Sequence, residues 1–251
     1  MSEDLGLVGT RAGLSVRQCL AKLRFFCEHD AYRDYDRVGY QFAGSPNEIQ
    51  AELLTATNRA MRARSPRKAW EPLLDRTLPA LAQLPLDGDL IASTDDEYTV
   101  LRAGLERCYR SLTAVKWITD MAASKMLYLK RPRLVAISDS YVRDVLAVPE
   151  PDSRRHPWRL EYCTERALRV SDAVRAVGRH NAGLLGHLQE AMADTVQSIS
   201  DHHRTRMSLS KARIVDILLW VDAAIAEGHK LWRPAAEEAG WGSVVVEIER
   251  A

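Results

Sequence analysis

Val115-Lys-Trp-Ile-Thr-Asp-Met-Ala-Ala123, then Ser124-Lys-Met-Leu-Tyr-Leu-Lys-Arg-Pro-Arg-Leu-Val135, then Ala136-Ile-Ser-Asp-Ser-Tyr-Val142, is the most informative stretch of this 251-residue chain. A helix is expected from about Asp120 to Leu129. Pro132 closes it, because proline lacks an N–H and its ring collides with the preceding turn. Leu134–Ile137 then reads as a short apolar connector, and Asp139-Ser140 opens a further helix toward Leu146, with aspartate suited to accept from the free N–H groups of a first turn. Upstream, the acidic turn Asp87–Asp96 offers Ser93, Thr94 or Asp95 as the cap of a helix running to about Thr113.

Helical spacing continues in both directions. Val16–Phe26 places Leu20, Leu23 and Cys27 on one face. Tyr32–Ser45, with its tyrosines, Gly39 and Gly44, reads as an irregular connection. Ser45-Pro46 starts a helix to about Ala63 with Ile49, Leu53, Leu54 and Met61 inward, proline being suited to a first helical position. Ser65-Pro66 repeats that signal for a short helix through Trp70 and Leu74, and Pro79 and Pro85 bound another short piece. The proline- and arginine-rich loop Pro149–Pro157 is the best boundary. Beyond it helices are expected near Leu160–Val177, Ala182–Ile199 and Ser208–Glu227, the last with Ile214, Leu218 and Val221 inward. Ser243–Ile248 reads as a short strand or a packed tail. No repeat and no strand–helix alternation is present, which argues against Rossmann and P-loop folds.

Composition sets the outer limits. With 46% apolar residues the chain has material for a real core, and no apolar run approaches the roughly 20 residues of a membrane span. The start, Met-Ser-Glu-Asp, lacks the basic and apolar regions of a secretory signal, so a cytoplasmic protein without membrane contact is expected. Cys19, Cys27, Cys108 and Cys163 form no C-x-x-C pair and read as small buried hydrophobes, not as metal ligands or disulfides. His202-His203 is a poor chelate, since adjacent helical residues diverge by about 100°, and reads as an exposed loop. Net charge is only +1. Basic residues nevertheless cluster at Arg59, Arg62, Arg64, Arg67 and Lys68, at Lys130, Arg131 and Arg133, and at Arg154, Arg155 and Arg159. Each cluster alone reads as a solvated face; together they form a phosphate track only if the fold unites them.

The stretch Val115–Leu146 resembles the signature region of the helix-hairpin-helix DNA glycosylase superfamily, the endonuclease III and adenine-glycosylase relatives. The hairpin there reads L-x-G-h-G-x-x-x-A, and an aspartate opens the next helix as V-D-[ST]-x-V. Val115, Ile118 and Ala123 match the apolar hairpin positions, and Asp139 matches the aspartate without a gap. Glu48–Arg64 is similar to the helix whose end and following loop insert a polar wedge into DNA, with Asn58 where many relatives carry glutamine. The flanks resemble those of an actinobacterial family. Both hairpin glycines are replaced, by Trp117 and Thr119, so phosphate contact must pass to side chains such as Lys116. Met121 stands where bifunctional relatives carry a Schiff-base lysine, which implies no lyase activity, and the iron–sulfur cysteines are missing.

The resemblance implies an all-α, glycosylase-like fold of two helical lobes flanking a cleft. Residues 45–147 would form the core domain, with the hairpin at 115–129, and 1–44 plus 148–251 the second lobe. It implies a monofunctional DNA glycosylase acting on a damaged or modified base flipped out of double-stranded DNA, with no cofactor. Asp139 would stabilise the oxocarbenium-like sugar and activate water. Asn58, Arg59, Arg62, Arg64, Lys116, Trp117, Thr119, Lys125, Lys130 and Arg131 would contact DNA, Asn58 and Arg59 as wedge and Lys125 at a phosphate or the surface. The alternatives are a DNA-binding or scaffold protein of the same fold without catalysis, and a helical protein unrelated to DNA, for which Val115–Ala123 would be one continuous helix. Residue by residue, Asp139 reads equally as a plain N-cap, Asn58 as a polar helix residue and Trp117 as packing.

Overall fold

Thr94 opens a helix through a reciprocal pair of hydrogen bonds: its hydroxyl accepts from Glu97 N at 3.3 Å, and the Glu97 carboxylate accepts from Thr94 N at 2.8 Å. The structure, a computed structural model, describes residues 14–28, 30–42, 44–60, 79–115, 118–151, 159–203 and 209–226. Among them are helices and turns and no strand. In chain order the helices are α1 (Val16–Glu28), α2 (Asp30–Gln41), α3 (Ala51–Ala60), α4 (Asp95–Thr113), α5 (Asp120–Tyr128), α6 (Ser140–Val145), α7 (Arg159–His180), α8 (Ala182–His203) and α9 (Lys211–Ala226). No described helix is long and apolar enough to cross a membrane. The all-α expectation therefore holds. Residues 65–74 and 243–248, where a short helix and a short strand or packed tail were read, lie outside the described residues.

α9 organises the packing. Residues 212–219 and 221–225 are all buried, the charged Arg213, Asp216 and Asp222 among them, and the helix packs against α1, α6, α7 and α8. α4 lies on α5 and α7, and α3 on α2 and α5. One apolar cluster runs from Leu14 through Leu105, Met126 and Val142 to Ile225. Cys19, Cys27, Cys108 and Cys163 are buried, and burial pushes the thiols of Cys19, Cys27 and Cys108 up to about 12.

Three local expectations are corrected. Residues 32–41, read as irregular, belong to α2. Side-chain anchors outweigh their poor helix propensity: the Tyr35 hydroxyl donates to Lys125 O at 2.5 Å, and Gly39 sits so near α5 that a Cβ would lie 3.0 Å from Leu129 O. Pro46 stands in a turn, and α3 begins at Ala51. The carbonyls of Ser45 and Pro46 point away from any helical ladder and accept from Lys130 Nζ (2.9 Å) and Arg131 Nη1 (2.7 Å). His202 and His203 close α8 instead of lying in a loop.

α6 ends on Ala147 at φ 48°, the conformation that normally selects glycine, while Val148 N donates back to Arg143 O at 2.9 Å. Ala147→Gly is expected to stabilise the protein by about 1 kcal/mol by removing the Cβ clash. Urea unfolding measures it; an unchanged or lowered midpoint would contradict the assigned conformation.

Candidate functional site

The chain passes from α4 to α5 through a genuine break. α4 ends at Thr113, and α5 starts with Thr119 as its cap, the Thr119 hydroxyl accepting from Ala122 N at 3.3 Å. Val115–Ala123 is therefore not one continuous helix, although Lys116 and Trp117 lie outside the described residues. Asp120, the first residue of α5, is fully buried and multiply paired. Its carboxylate accepts from the Ser138 hydroxyl at 2.6 Å, from Arg143 Nη1 at 3.2 Å and from Arg166 Nε at 2.9 Å. The Ser124 hydroxyl accepts from Ser138 N at 2.9 Å. These bonds clamp the connector 134–138 onto α5 and so place the residue that follows it.

That residue, Asp139, caps α6: Oδ1 accepts from Tyr141 N at 3.2 Å, while Oδ2 faces the Lys125 ammonium at 3.5 Å. The two side chains are 11% and 12% exposed, so the pair is shielded on most sides and keeps slight contact with solvent. Lys125, expected near a phosphate or at the surface, is turned onto Asp139. Capping and presentation of a carboxylate thus coexist in one side chain.

Behind the pair runs a buried ionic chain. Asp216 lies on α9 and bonds Arg213 Nη1; Arg213 Nη2 donates to Asp36 Oδ2 on α2 at 2.9 Å; the Tyr128 hydroxyl on α5 donates to Asp36 Oδ1 at 2.6 Å. The Arg213 guanidinium also lies over the rings of Phe26 and Tyr128, at 5.1 and 4.8 Å, a contact that desolvation strengthens. Asp216 Oδ1 is enclosed without a hydrogen-bond partner. Burial pushes the Asp216 carboxyl up to about 6, against the pull of Arg213, and Asp139 raises it further while Lys125 lowers it. Buried ionic groups of this density cost desolvation energy, and such costs concentrate at functional sites. Arg213 and Asp216 were missed, although with Asp222 they are charged residues set among the apolar residues of α9, a signal that could have found them; Asp36 and Asp120 carried no local signal.

The Asp216 shift has a measurable consequence. Between its ordinary value of 3.8 and about 6 the unfolded chain has released this proton and the folded chain keeps it. The stability held by the protonated form is therefore present at low pH and lost as pH rises through 6. Asp216→Asn stays neutral throughout. Relative to the parent it should gain about 2 kcal/mol between pH 4 and pH 7 in denaturant titrations. A flat difference over that range would remove the assignment.

The other expected DNA contacts fare differently. Lys130 is turned inward: Nζ donates to Ser45 O (2.9 Å) and Gln50 Oε1 (2.7 Å) and reaches Phe42 O (3.4 Å), and burial pulls its ammonium down to about 8. Arg131 is 1% exposed and donates to the carbonyls of Leu81, Leu84, Pro46 and Lys130 and to Asn47 Oδ1. Both cations are consumed by loop carbonyls, so neither faces a polyanion. Asn58 is half-buried on α3, and Arg59 lies in its last turn. Arg62, Arg64, Arg154 and Arg155 lie outside the described residues, and Arg133 pairs with Asp89 at 3.0 Å. A cavity of about 210 Å³ opens where α2 meets the end of α5, with Asp36, Phe42, Tyr128 and Lys130 in its wall; Asp139 lies outside it. No group of three or more histidine, cysteine, aspartate or glutamate side chains among the described residues is arranged to hold a metal.

Residues 23–223 match a protein family described as being of unknown function. No curated protein and no solved structure matches the chain.

Proposed function

The chain belongs to that family, DUF6308, and we propose that it is a monofunctional DNA glycosylase with Asp139 as its catalytic carboxylate. The observation that carries the reading is Asp139 itself: a mostly enclosed carboxylate, held at a helix start by Tyr141 N and paired with Lys125, with 11% of its side chain still exposed. The helix–break–helix of α4 and α5 ahead of it, at the spacing of the helix-hairpin-helix signature, supports the same reading.

The chemistry needs little more. As the bond between C1′ and the base nitrogen lengthens, positive charge develops on the sugar, and an ionised carboxylate in a poorly solvated site stabilises it. Water then adds to C1′ and gives its proton to Asp139; the departing base takes up one proton from solvent, and Asp139 returns its proton to solvent, so that one water is consumed per base released. A target base must leave the stack for this to happen. Asn58, Arg59, Arg62, Arg64, Lys116 and Trp117 are the proposed DNA contacts. Thr119, whose hydroxyl is spent on capping α5, would contribute through its backbone. Lys130 and Arg131 leave the set.

The test is release of free base from duplex DNA carrying modified bases, with Asp139→Asn as control. Met121 cannot form an imine, and Lys125 lies one turn farther along α5, against Asp139. Borohydride trapping on abasic duplex should therefore yield no adduct, and a covalent product would replace the monofunctional reading with a lyase.

A second reading, a DNA-binding protein without catalysis, is favoured by the engagement of Asp139 with both Tyr141 N and Lys125. It expects salt-dependent DNA affinity and no base release from any substrate.

A further inference from the structure

Two arginines from different helices close on the buried Asp120 carboxylate. Arg166 of α7 lays one edge against it: Nε donates to Oδ2 at 2.9 Å, and Nη2 donates to Oδ1. Arg143 of α6 donates through Nη1 to Asp120 Oδ2 and to Ser138 O, both at 3.2 Å. A second carboxylate, that of Glu150, meets both guanidiniums from outside. Arg166 Nη1 lies 3.4 Å from Glu150 Oε2, and Arg143 Nε lies 3.8 Å from Oε1. The Tyr162 hydroxyl also donates to Oε2, and the Arg166 guanidinium lies over the Tyr162 ring at 5.0 Å.

The two carboxylates are held very differently. Asp120 has no exposed side-chain surface, whereas Glu150 is 55% exposed and stands off from both arginines. Contacts of that length on an exposed carboxylate are weak. Two guanidiniums against one buried carboxylate leave one positive charge, and Asp120 fixes both forks in place before any ligand arrives. A planar guanidinium fork matches phosphate oxygens in geometry as well as charge. Glu150 therefore occupies the position of an external oxyanion.

We propose that Arg143 and Arg166 bind one backbone phosphate of DNA, the Glu150 side chain rotating away to admit it. The inference rests on the glycosylase reading for the identity of its polyanion. Arg143 stands one turn beyond Asp139 on α6, its N–H donating to Asp139 O at 3.1 Å. One helical turn advances about 5.4 Å, comparable to the reach from a sugar C1′ to the phosphate of the same nucleotide. A phosphate on the two forks is thereby placed beside a sugar that reaches Asp139.

Fluorescence anisotropy of the full chain with a fluorescein-labelled DNA duplex tests the site. Glu150→Gln removes the internal competitor and should tighten binding about two- to fivefold at low salt. Glu165→Gln makes the same charge change nearby on α7, where Glu165 pairs with Arg169 at 2.9 Å, and as a control should shift affinity by less than about twofold. Arg143→Lys keeps the charge but not the fork and should weaken binding about three- to tenfold. In that background the Glu150→Gln gain should fall below about twofold, a coupling that a general charge effect would not show. Equal gains from Glu150→Gln and Glu165→Gln overturn the inference, as does a parent protein that binds no duplex. If Arg143→Lys does not fold, the comparison of the two glutamine variants decides alone. Base release with affinity indifferent to Glu150 overturns the site and spares the glycosylase reading. The expected affinity changes with no base released by any form sink the glycosylase reading and leave the phosphate site standing.

Discussion

Arg131→Met is expected to lower folding stability by about 3–5 kcal/mol, enough to threaten the folded state of a marginally stable domain. The guanidinium is fully enclosed and serves as a hub: Nη2 donates to Leu81 O at 2.8 Å and Asn47 Oδ1 at 2.7 Å, Nη1 to Pro46 O at 2.7 Å, and Nε to Leu84 O at 3.2 Å. Methionine fills much of the volume but abandons those acceptors, and each buried oxygen left without a donor costs about 1–3 kcal/mol. Recovered desolvation of the cation offsets part of this. Arg131→Lys should rescue little, because one ammonium cannot reach acceptors spread across a planar fork. Urea midpoints measure both variants. Were Arg131 a phosphate contact, its loss would leave stability within about 0.5 kcal/mol and flatten the salt dependence of DNA binding by about one unit. That pattern would refute the structural role.

Asp139→Asn is expected to reduce base release by about 10²–10⁴-fold, the range lost when a positioned acid–base group is removed. The fold should tolerate it. Asparagine caps a helix about as well as aspartate, so Tyr141 N keeps an acceptor, and the loss of the mostly shielded Lys125 partner at 3.5 Å costs about 1–3 kcal/mol. DNA affinity should stay within a few-fold, since under the proposed function the substitution removes a negative charge from a site that would face a polyanion. The combination of intact fold, retained binding and lost release is what separates a catalytic carboxylate from a cap. Release equal to that of the parent would end the enzymatic reading, and unfolding of the variant would point to a structural ion pair with Lys125 in place of catalysis.

Much of the architecture was written in short-range signals. Thr94 with Glu97, Thr119 ahead of Asp120 and Asp139 ahead of Ser140 each mark a helix start within four residues, and each cap is present. Pro132 ends its helix where proline must. The apolar residues of α9, read as one inward face of Ile214, Leu218 and Val221, marked a helix there but not its place at the centre of the packing. Asp139 was legible because its spacing from the hairpin is set along one continuous piece of chain.

The fates of the charged side chains were a different matter. Lys130, Arg131 and Arg133 form a basic cluster indistinguishable from a solvated patch, yet two of the three are drawn inside by carbonyls of residues 42–46 and 81–84, partners more than forty positions away in sequence. α2 was missed for a related reason, since its anchors, Lys125 O for Tyr35 and Arg213 for Asp36, come from α5 and α9. Local pattern governs backbone geometry because caps and breakers act within a turn. Where an ionic side chain ends up depends instead on which distant oxygens the packed helices bring within about 3 Å of it, and that proximity exists only once α2, α5, α6 and α9 have come together around Arg213 and Asp216.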